Sequence, residues 1–428
     1  MRLIHTADWH LGHTLAGHSR EHEHERFLTW LADVVDDEGA DALLVCGDVY
    51  DQGNPPATAQ RQFFSFLAEV HRRRPALQIV VIGGNHDAAA RLDAPRPILE
   101  ALTVTMRGGL PRDDDGVVVP GSSVVPLRDQ HGDVAVVALA VPFLRAPELS
   151  AVARSEAAVV GDPALLDVVV QGTRAIVSRV VDAARAAFPG VPLVLMAHCE
   201  VQGARMSLSS ERPLFGGRHA LPPSLFDEAG VVYAALGHLH LAQTLGVARY
   251  SGSPLPLSMA ERDYQHQVVV VDVAAGGRVT TRVRETPRLV DFLRVPGVAC
   301  PLDEVLDRLR ALDLPERPSC ERPFLEVRVL LDKPVPALRA QIEDALVGKP
   351  VRLVRVDRCG QGDGAALGDA ARAVGVEVTA LSDLSPTAVF QALYRRQFDG
   401  DASVELLAAL ATLRAGVDDD AALDGEVV

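Results

Sequence analysis

Short apolar runs alternate with amphipathic stretches through the first half of the chain. Leu3-Ile4 is a brief apolar opening, and residues 42–46 and 78–82 are continuous apolar runs of the kind that form strands buried on both faces. Between them, residues 26–35 and 59–70 place apolar side chains at helical spacing. The alternation predicts right-handed strand–helix–strand crossovers in a layered α/β sheet. Further strands are expected at 134–140, 193–197 and 231–236, with a helix over 173–188. Residues 249–251, 267–271 and 278–284 read as successive strands around glycine-rich turns. Two sheets packed face to face with helices outside satisfy this order. Residues 107–131 and 199–224, rich in Gly, Pro, Ser and Arg, read as loops or small hairpins.

A boundary falls near residues 285–295. Beyond it, a helix (302–312), a strand (324–331), a second helix (335–347) and a second strand (351–357) make a small α+β module. A Gly-rich stretch over 361–370 precedes two amphipathic helices, 386–398 and 403–413. The expected division is therefore 1–284, 285–360 and 361–428.

Composition narrows the class. Apolar residues make up 48% and charged residues 23%, which is globular. With 42 basic and 57 acidic residues the net charge is −15, which argues against holding nucleic acid by bulk electrostatics. Only two of the basic residues are lysines, Lys333 and Lys349, so phosphate contacts fall to arginine. Cys46, Cys199, Cys300, Cys320 and Cys359 are scattered and form no CxxC pair, which indicates neither a disulfide scaffold nor a thiolate zinc site. Without a signal-peptide h-region or a bilayer-length apolar run, the chain reads as cytoplasmic, with no membrane.

The chemistry lies where the expected strands end. The first ends in Asp8-Trp9-His10, the second in Gly47-Asp48-Val49-Tyr50-Asp51 and the third in Gly83-Gly84-Asn85-His86-Asp87. The strand at 193–197 delivers His198, and the strand at 231–236 delivers Gly237-His238-Leu239-His240. Strand carboxyl ends in α/β sheets share one cleft. Alternation in an extended chain puts Asp8 and His10 on one side, and His238 and His240 likewise. Asp, Asn and His donors without thiolates suit two divalent cations such as manganese, iron or zinc, and Asp48 is the natural shared ligand. Paired ions hold both oxygens of an in-line phosphoryl displacement, so phosphoester hydrolysis is the expected reaction. His18, His22 and His24 read as residues of an exposed helix start, Cys46 and Cys199 as packing residues, and His13 as structural.

Asp-x-His, Gly-Asp-x-x-Asp, Gly-Asn-His-Asp, a lone His and Gly-His-x-His, in this order, resemble the calcineurin-like metallophosphoesterase superfamily. The longer strings His5–Gly12, Gly47–Asp51, Ala235–His240 and Tyr250–Ser258 resemble the SbcD nuclease subunits, bacterial relatives of the Mre-type DNA repair nucleases. The resemblance implies a four-layer metallophosphoesterase sandwich of two mixed sheets flanked by helices, with a small α+β capping domain and C-terminal helices. It assigns Asp8, His10 and His240 to one metal, Asn85, His198 and His238 to the other, and Asp48 to both. His86 matches the non-ligand histidine that assists the departing 3′-oxygen, and Asp87 matches a residue that orients His86 or a ligand. Asp51 stands among the catalytic candidates where archaeal and eukaryotic relatives tend to carry a second histidine.

The family further implies manganese-dependent 3′→5′ cleavage of double-stranded DNA ends, endonucleolytic opening of hairpins, and work in DNA repair, recombination and replication at the nucleoid. It implies a homodimer bound to an SbcC-like coiled-coil ATPase in a heterotetramer, with ATP acting only through that partner. Helices 386–398 and 403–413, through Val389, Phe390, Leu393, Leu406, Leu407 and Leu410, are the expected dock. Arg91, Arg96, Arg107 and Arg128 are candidate contacts to the DNA backbone. The rival reading is a small-molecule phosphoesterase hydrolysing nucleotides or cyclic nucleotides.

Overall fold

Strand alternation divides the side chains between two cores. In β4 (Ala42–Cys46), Leu43 and Val45 point to an outer core, while Ala42, Leu44 and Cys46 point to an inner one. In β5 (Gln78–Ile82), Ile79 and Val81 go outward and Val80 and Ile82 inward. Every side chain of such a strand is buried, so the sequence shows a continuous apolar run.

A computed structural model of the chain describes residues 1–113, 118–145, 149, 168–206, 220–331, 335–359, 394, 402–403 and 406–407. The chain divides into two compact units, Met1–Cys359 and Gly360–Val428. In the first unit, β1 (Arg2–Thr6), β4, β5 and β6 (Val104–Arg107) run parallel, and β13 (Gln267–Val273) and β14 (Val279–Glu285) extend the sheet antiparallel. The strand order is β14-β13-β1-β4-β5-β6. A small hairpin, β2 (Thr14–Leu15) and β3 (His18–Ser19), follows β1. The second six-stranded sheet, β11-β12-β10-β9-β8-β7, contains β7 (Val124–Arg128), β8 (Val134–Ala140), β9 (Leu193–His198), β10 (Tyr233–Gly237), β11 (Gln243–Leu245) and β12 (Ala248–Tyr250). Its strands β8, β9, β10 and β12 are parallel.

The inner faces of the two sheets share one core, where Leu44, Val80 and Val269 meet Val136, Val194 and Ala235. Helices α1 (Glu21–Asp37) and α2 (Ala57–Arg73) cover the outside of the first sheet, and α3 (Val168–Ala187) covers the second. The result is a four-layer α/β sandwich. A third, all-parallel sheet of β15 (Phe292–Pro301), β16 (Phe324–Leu330) and β17 (Arg352–Cys359) packs with α4 (Leu302–Arg310) and α5 (Leu338–Ala345) around its own core. Among the described residues, no helix is long and apolar enough to cross a membrane.

Three local features differ from expectation. Helix α1 begins at Glu21, and its buried stripe starts with Glu23 and His24, so His24 lies fully buried rather than on an exposed helix start. The expected loop region 107–131 contains β7, the edge strand of the second sheet, and β6, the edge strand of the first, ends where that region begins. The stretch around 292–301 is a strand, β15, which pairs parallel with β16. In the second unit, Tyr394 and Leu406–Leu407 are helical, and the Leu406 N–H donates to Ser403 Oγ (3.3 Å) as a cap. Val389, Phe390, Leu393 and Leu410 lie outside the described residues.

His5 ties the sheets together. Tyr233 Oη donates to its Nδ1 (2.9 Å), and its Nε2 lies 3.1 Å from the Leu236 carbonyl, which it serves as donor. Burial pushes the ring down to about 3. The neutral ring is therefore the folded form, whereas the unfolded chain takes up a proton near pH 6.5. His5 contributes its full stability above that pH and loses it as pH falls towards 3. His5→Ala orphans the Tyr233 hydroxyl and the Leu236 carbonyl and leaves a cavity, which should cost roughly 3 kcal/mol. Urea unfolding at pH 7.5 measures that loss, and the same titration at pH 5 should show a smaller difference between wild type and variant.

Candidate metal centre

Five strand ends meet at one edge of the two sheets. Asp8 N donates to the Gly47 carbonyl and His10 N to the Asp48 carbonyl, both at 3.0 Å, which stitches the end of β1 to the end of β4. From the second sheet, His198 Nδ1 donates to the Cys46 carbonyl (2.9 Å), and His238 N donates to Asp8 Oδ1 (2.9 Å). The expected convergence by strand alternation is replaced by turns. Asp8 (φ 55°), His10 (φ 47°), Asp48 (φ 48°) and His238 (φ 103°) all take positive φ. Non-glycine residues held in this region are strained, and such strain concentrates at functional sites.

Three groups of side chains each bring their donor atoms within 4.8 Å of one another: Asp8, His10 and His240; His10, Asp48 and His86; and Asp8, Asp48 and His198. Asp48 Oδ2 lies 3.5 Å from His10 Nε2 and 3.4 Å from His198 Nε2, between the two sides of the cluster. Asn85 Oδ1 faces His198 Nε2 at 2.8 Å and His238 Nδ1 at 3.1 Å. Asp8, His10, Asp48, His198, His238 and His240 are all buried. Burial raises the Asp8 carboxyl. For His198 burial works to lower the ring, but the Asp48 carboxylate beside it wins and holds it up at about 9. His238 is pushed down to about 3, by burial and then by His198.

The donor set fits divalent ions. Asp8 Oδ2 and Nε2 of His238 are buried with no hydrogen-bond partner among the described residues. Such orphans cost about 1–3 kcal/mol each when left unmatched. Carboxylate, amide and imidazole donors together are those that borderline-to-hard cations accept.

The remaining candidates take different positions. His86 is exposed, its N–H donates to Asp48 Oδ1 (2.9 Å), and its Nδ1 donates to the Asp51 carbonyl (2.7 Å), which leaves Nε2 as the ring's lone-pair nitrogen. The Asp51 carboxylate lies 3.3 Å from His10 Nδ1. Asp87 is buried and accepts from the backbone N–H groups of Val49, Tyr50 and Gly84 (2.9–3.1 Å), so it fixes the Asp48 turn against the Asn85 turn. Burial and the neighbouring Asp48 raise its carboxyl to about 6. Arg107 spends its guanidinium on the Ser122 and Met106 carbonyls and Arg128 on that of Gly132, while Arg96 lies 3.5 Å from Glu100.

Two residues at the site carried no signal in their spacing. Glu261, fully buried, accepts from His240 Nδ1 at 3.0 Å. Arg145 donates to the Asp87 carbonyl (3.0 Å), beside Phe143, whose ring is 6.2 Å from that of His198.

Comparisons place this geometry. Residues 1–138 match the family model described as calcineurin-like phosphoesterase, and residues 288–398 match that described as type 5 capsule protein repressor C-terminal domain. The fold and the cluster thus define a calcineurin-like phosphoesterase, a hydrolase that works with divalent metal ions. The SbcD subunit of nuclease SbcCD from Rhodobacter capsulatus is 42% identical over 357 residues, covering 82% of this chain and 86% of that protein. Its namesakes from Escherichia coli K12 and Bacillus subtilis are 28% and 36% identical, covering 84% and 65% of this chain and 85% and 68% of their own. The chain belongs to the SbcD family of nuclease SbcCD subunits, and it is a metal-dependent phosphodiester hydrolase.

Close backbone approach is a condition of the site. A Cβ on Gly237 would lie 1.9 Å from the Cys46 carbonyl oxygen, and one on Gly84 2.1 Å from Asp48 Oδ1. Gly237→Ala must push β10 away from β4, so it should cost more than about 2 kcal/mol and weaken metal binding together with stability. Thermal melting with and without added manganese checks this, with the metal-induced rise in Tm expected to shrink in the variant.

Proposed function

We propose that this chain is the nuclease subunit of an ATP-dependent, two-component complex that processes double-stranded DNA. In this reading it cuts ends in the 3′→5′ direction and opens hairpins, with manganese as its working ion. Asp8, His10 and His240 hold one ion, Asn85, His198 and His238 hold the other, and Asp48 is shared. The observation that carries the reading is the position of Asp48 Oδ2 between His10 Nε2 (3.5 Å) and His198 Nε2 (3.4 Å), with the other donors grouped on either side. The ions would supply an activated water and charge neutralisation for the phosphate. His86 is exposed and its Nδ1–H is held by the Asp51 carbonyl; its role is to act in its doubly protonated form, passing the Nε2 proton to the leaving 3′-oxygen and keeping the Nδ1 proton. Asp51 steadies His10, and Asp87 steadies the turn that carries Asp48.

The partner is an SbcC-like coiled-coil ATPase, and the chain acts as a homodimer within a heterotetramer. Support comes from the names of its relatives, which are SbcD subunits of SbcCD, and from the charge balance. Residues 1–280 carry 23 basic and 32 acidic side chains, a net of −9, so a second protein must supply most of the surface that attracts DNA. In the proposed division, 1–284 is the nuclease, 285–360 the cap, and 361–428 the segment whose helices dock on the partner. Action on chromosomal DNA places the complex in the cytoplasm, at the nucleoid.

His86→Ala should retain two bound ions by calorimetric titration and lose about 10²–10⁴-fold in hairpin-DNA cleavage with manganese. Equal loss of metal would reject the role given to His86. A chain lacking 385–428 should keep its fold by circular dichroism and fail to co-purify with the ATPase, while undiminished co-purification would reject the docking helices.

A further inference from the structure

Of the imidazoles in the cluster, His240 has the most heavily built support behind it. Its Nδ1 donates to Glu261 Oε1 at 3.0 Å, and both side chains are buried. The other carboxylate oxygen, Oε2, accepts the backbone N–H of Leu257 at 2.7 Å. One carboxylate therefore fixes both the metal-facing ring and the chain segment that runs behind it. That segment is itself held: Arg20 Nη1 donates to the Pro256 carbonyl, and Met259 packs with Val290, Phe292 and Phe324. By contrast, the Nδ1 of His198 rests on a neutral backbone carbonyl, that of Cys46.

We infer that Glu261 is a positioning residue for His240: it fixes the Nδ1–H tautomer, aims Nε2 at the Asp8–His10 side of the cluster, and raises the basicity of that nitrogen towards a divalent cation. The inference rests on the ligand assignment proposed above. A carboxylate behind a ligating imidazole acts on the ion through the ring, and its loss typically weakens metal affinity by about 10–100-fold. Because Glu261 bonds directly to His240, a proposed ligand of one ion, its loss should be felt chiefly at that metal position.

Calorimetric titration of metal-free, full-length chain with manganese tests this. Wild type should bind two ions. Glu261→Ala should bind one of them about tenfold or more weakly and leave the other within about twofold. Glu261→Gln keeps an acceptor for Nδ1–H and gives up the acceptor for Leu257 N–H, so it should recover most of the lost affinity. Melting of the metal-free proteins separates this effect from loss of fold, since Glu261→Gln should melt within a few degrees of wild type. Two sites of unchanged affinity in Glu261→Ala would overturn the inference, as would equal weakening of both. A wild-type chain that binds no ion would instead overturn the ligand assignment beneath it.

Discussion

One short turn, Cys46-Gly47-Asp48, holds the site together. The Cys46 carbonyl accepts the His198 ring from the opposite sheet, the Gly47 carbonyl accepts Asp8 N, and the Asp48 carbonyl accepts His10 N. The Asp48 carboxylate accepts His86 N, and Gly237 packs directly on the Cys46 carbonyl. All five strand ends therefore refer their positions to the end of β4. This works only where the two sheets nearly touch, which explains why glycine stands at the contact with Ala7 beside it, and why alanines such as Ala42, Ala138 and Ala235 recur in the inner core. The small residues are not poor packing. They set the separation that brings donor side chains of the two sheets, Asp8 and Asp48 with His198, into one group.

The same closeness makes the site electrostatically unstable without positive charge. Two carboxylates, Asp8 and Asp48, are buried together, and burial alone would drive them to bind protons. The protein answers locally with His198, whose ring the Asp48 carboxylate holds up at about 9 against the effect of burial. Divalent cations meet the same need more strongly. The negative charge of the chain is unevenly placed: −9 in 1–280, +2 in 281–359 (15 basic, 13 acidic) and −8 in 360–428 (4 basic, 12 acidic), which sums to −15. Part of the acidic excess of the first segment is thus a requirement of the metal site, not a general surface property.

Much of this was legible in the chain. Strands β4, β5 and β8 fall at 42–46, 78–82 and 134–140 as read, because a strand buried on both faces has no choice but to be apolar throughout. The candidate ligands were visible because polar residues directly after such runs stand out. Edge strands were not legible: β6, β7 and β15 are half-exposed and carry Thr, Arg, Pro or Gly, so none shows the apolar run of a buried strand, and only β7 lay in a region read as loop. The burial of the first turn of α1 was hidden for a related reason, since its inward positions are occupied by Glu23 and His24, which hydrophobic patterning counts as outward. Glu261 lay hidden because its partner is 21 residues away in sequence, and no spacing rule joins a carboxylate in one loop to a histidine in another. Backbone conformation was invisible as well: nothing in Asp8, His10 or Asp48 announces a positive φ.

Glu23 also bears on how the third sheet is held. It pairs with Arg20 through two hydrogen bonds, at 2.9 and 2.6 Å, and both side chains are buried. A buried pair of this kind gains little net stability, because desolvation offsets its Coulomb energy. Its value lies in what the guanidinium reaches: the Pro256 carbonyl on one side, and the rings of Phe292 and Phe324, each 5.6 Å away, on the other. Phe292 and Phe324 open the first two strands of the third sheet, and Pro256 is one residue before the N–H that binds Glu261. An apolar contact could bury the same area, but it could slide. A charged fork held by a carboxylate, a carbonyl and two aromatic rings fixes the third sheet at a single position relative to the loop behind His240. The cost of burying Arg20 is therefore spent on geometry, and that geometry ends at the metal cluster.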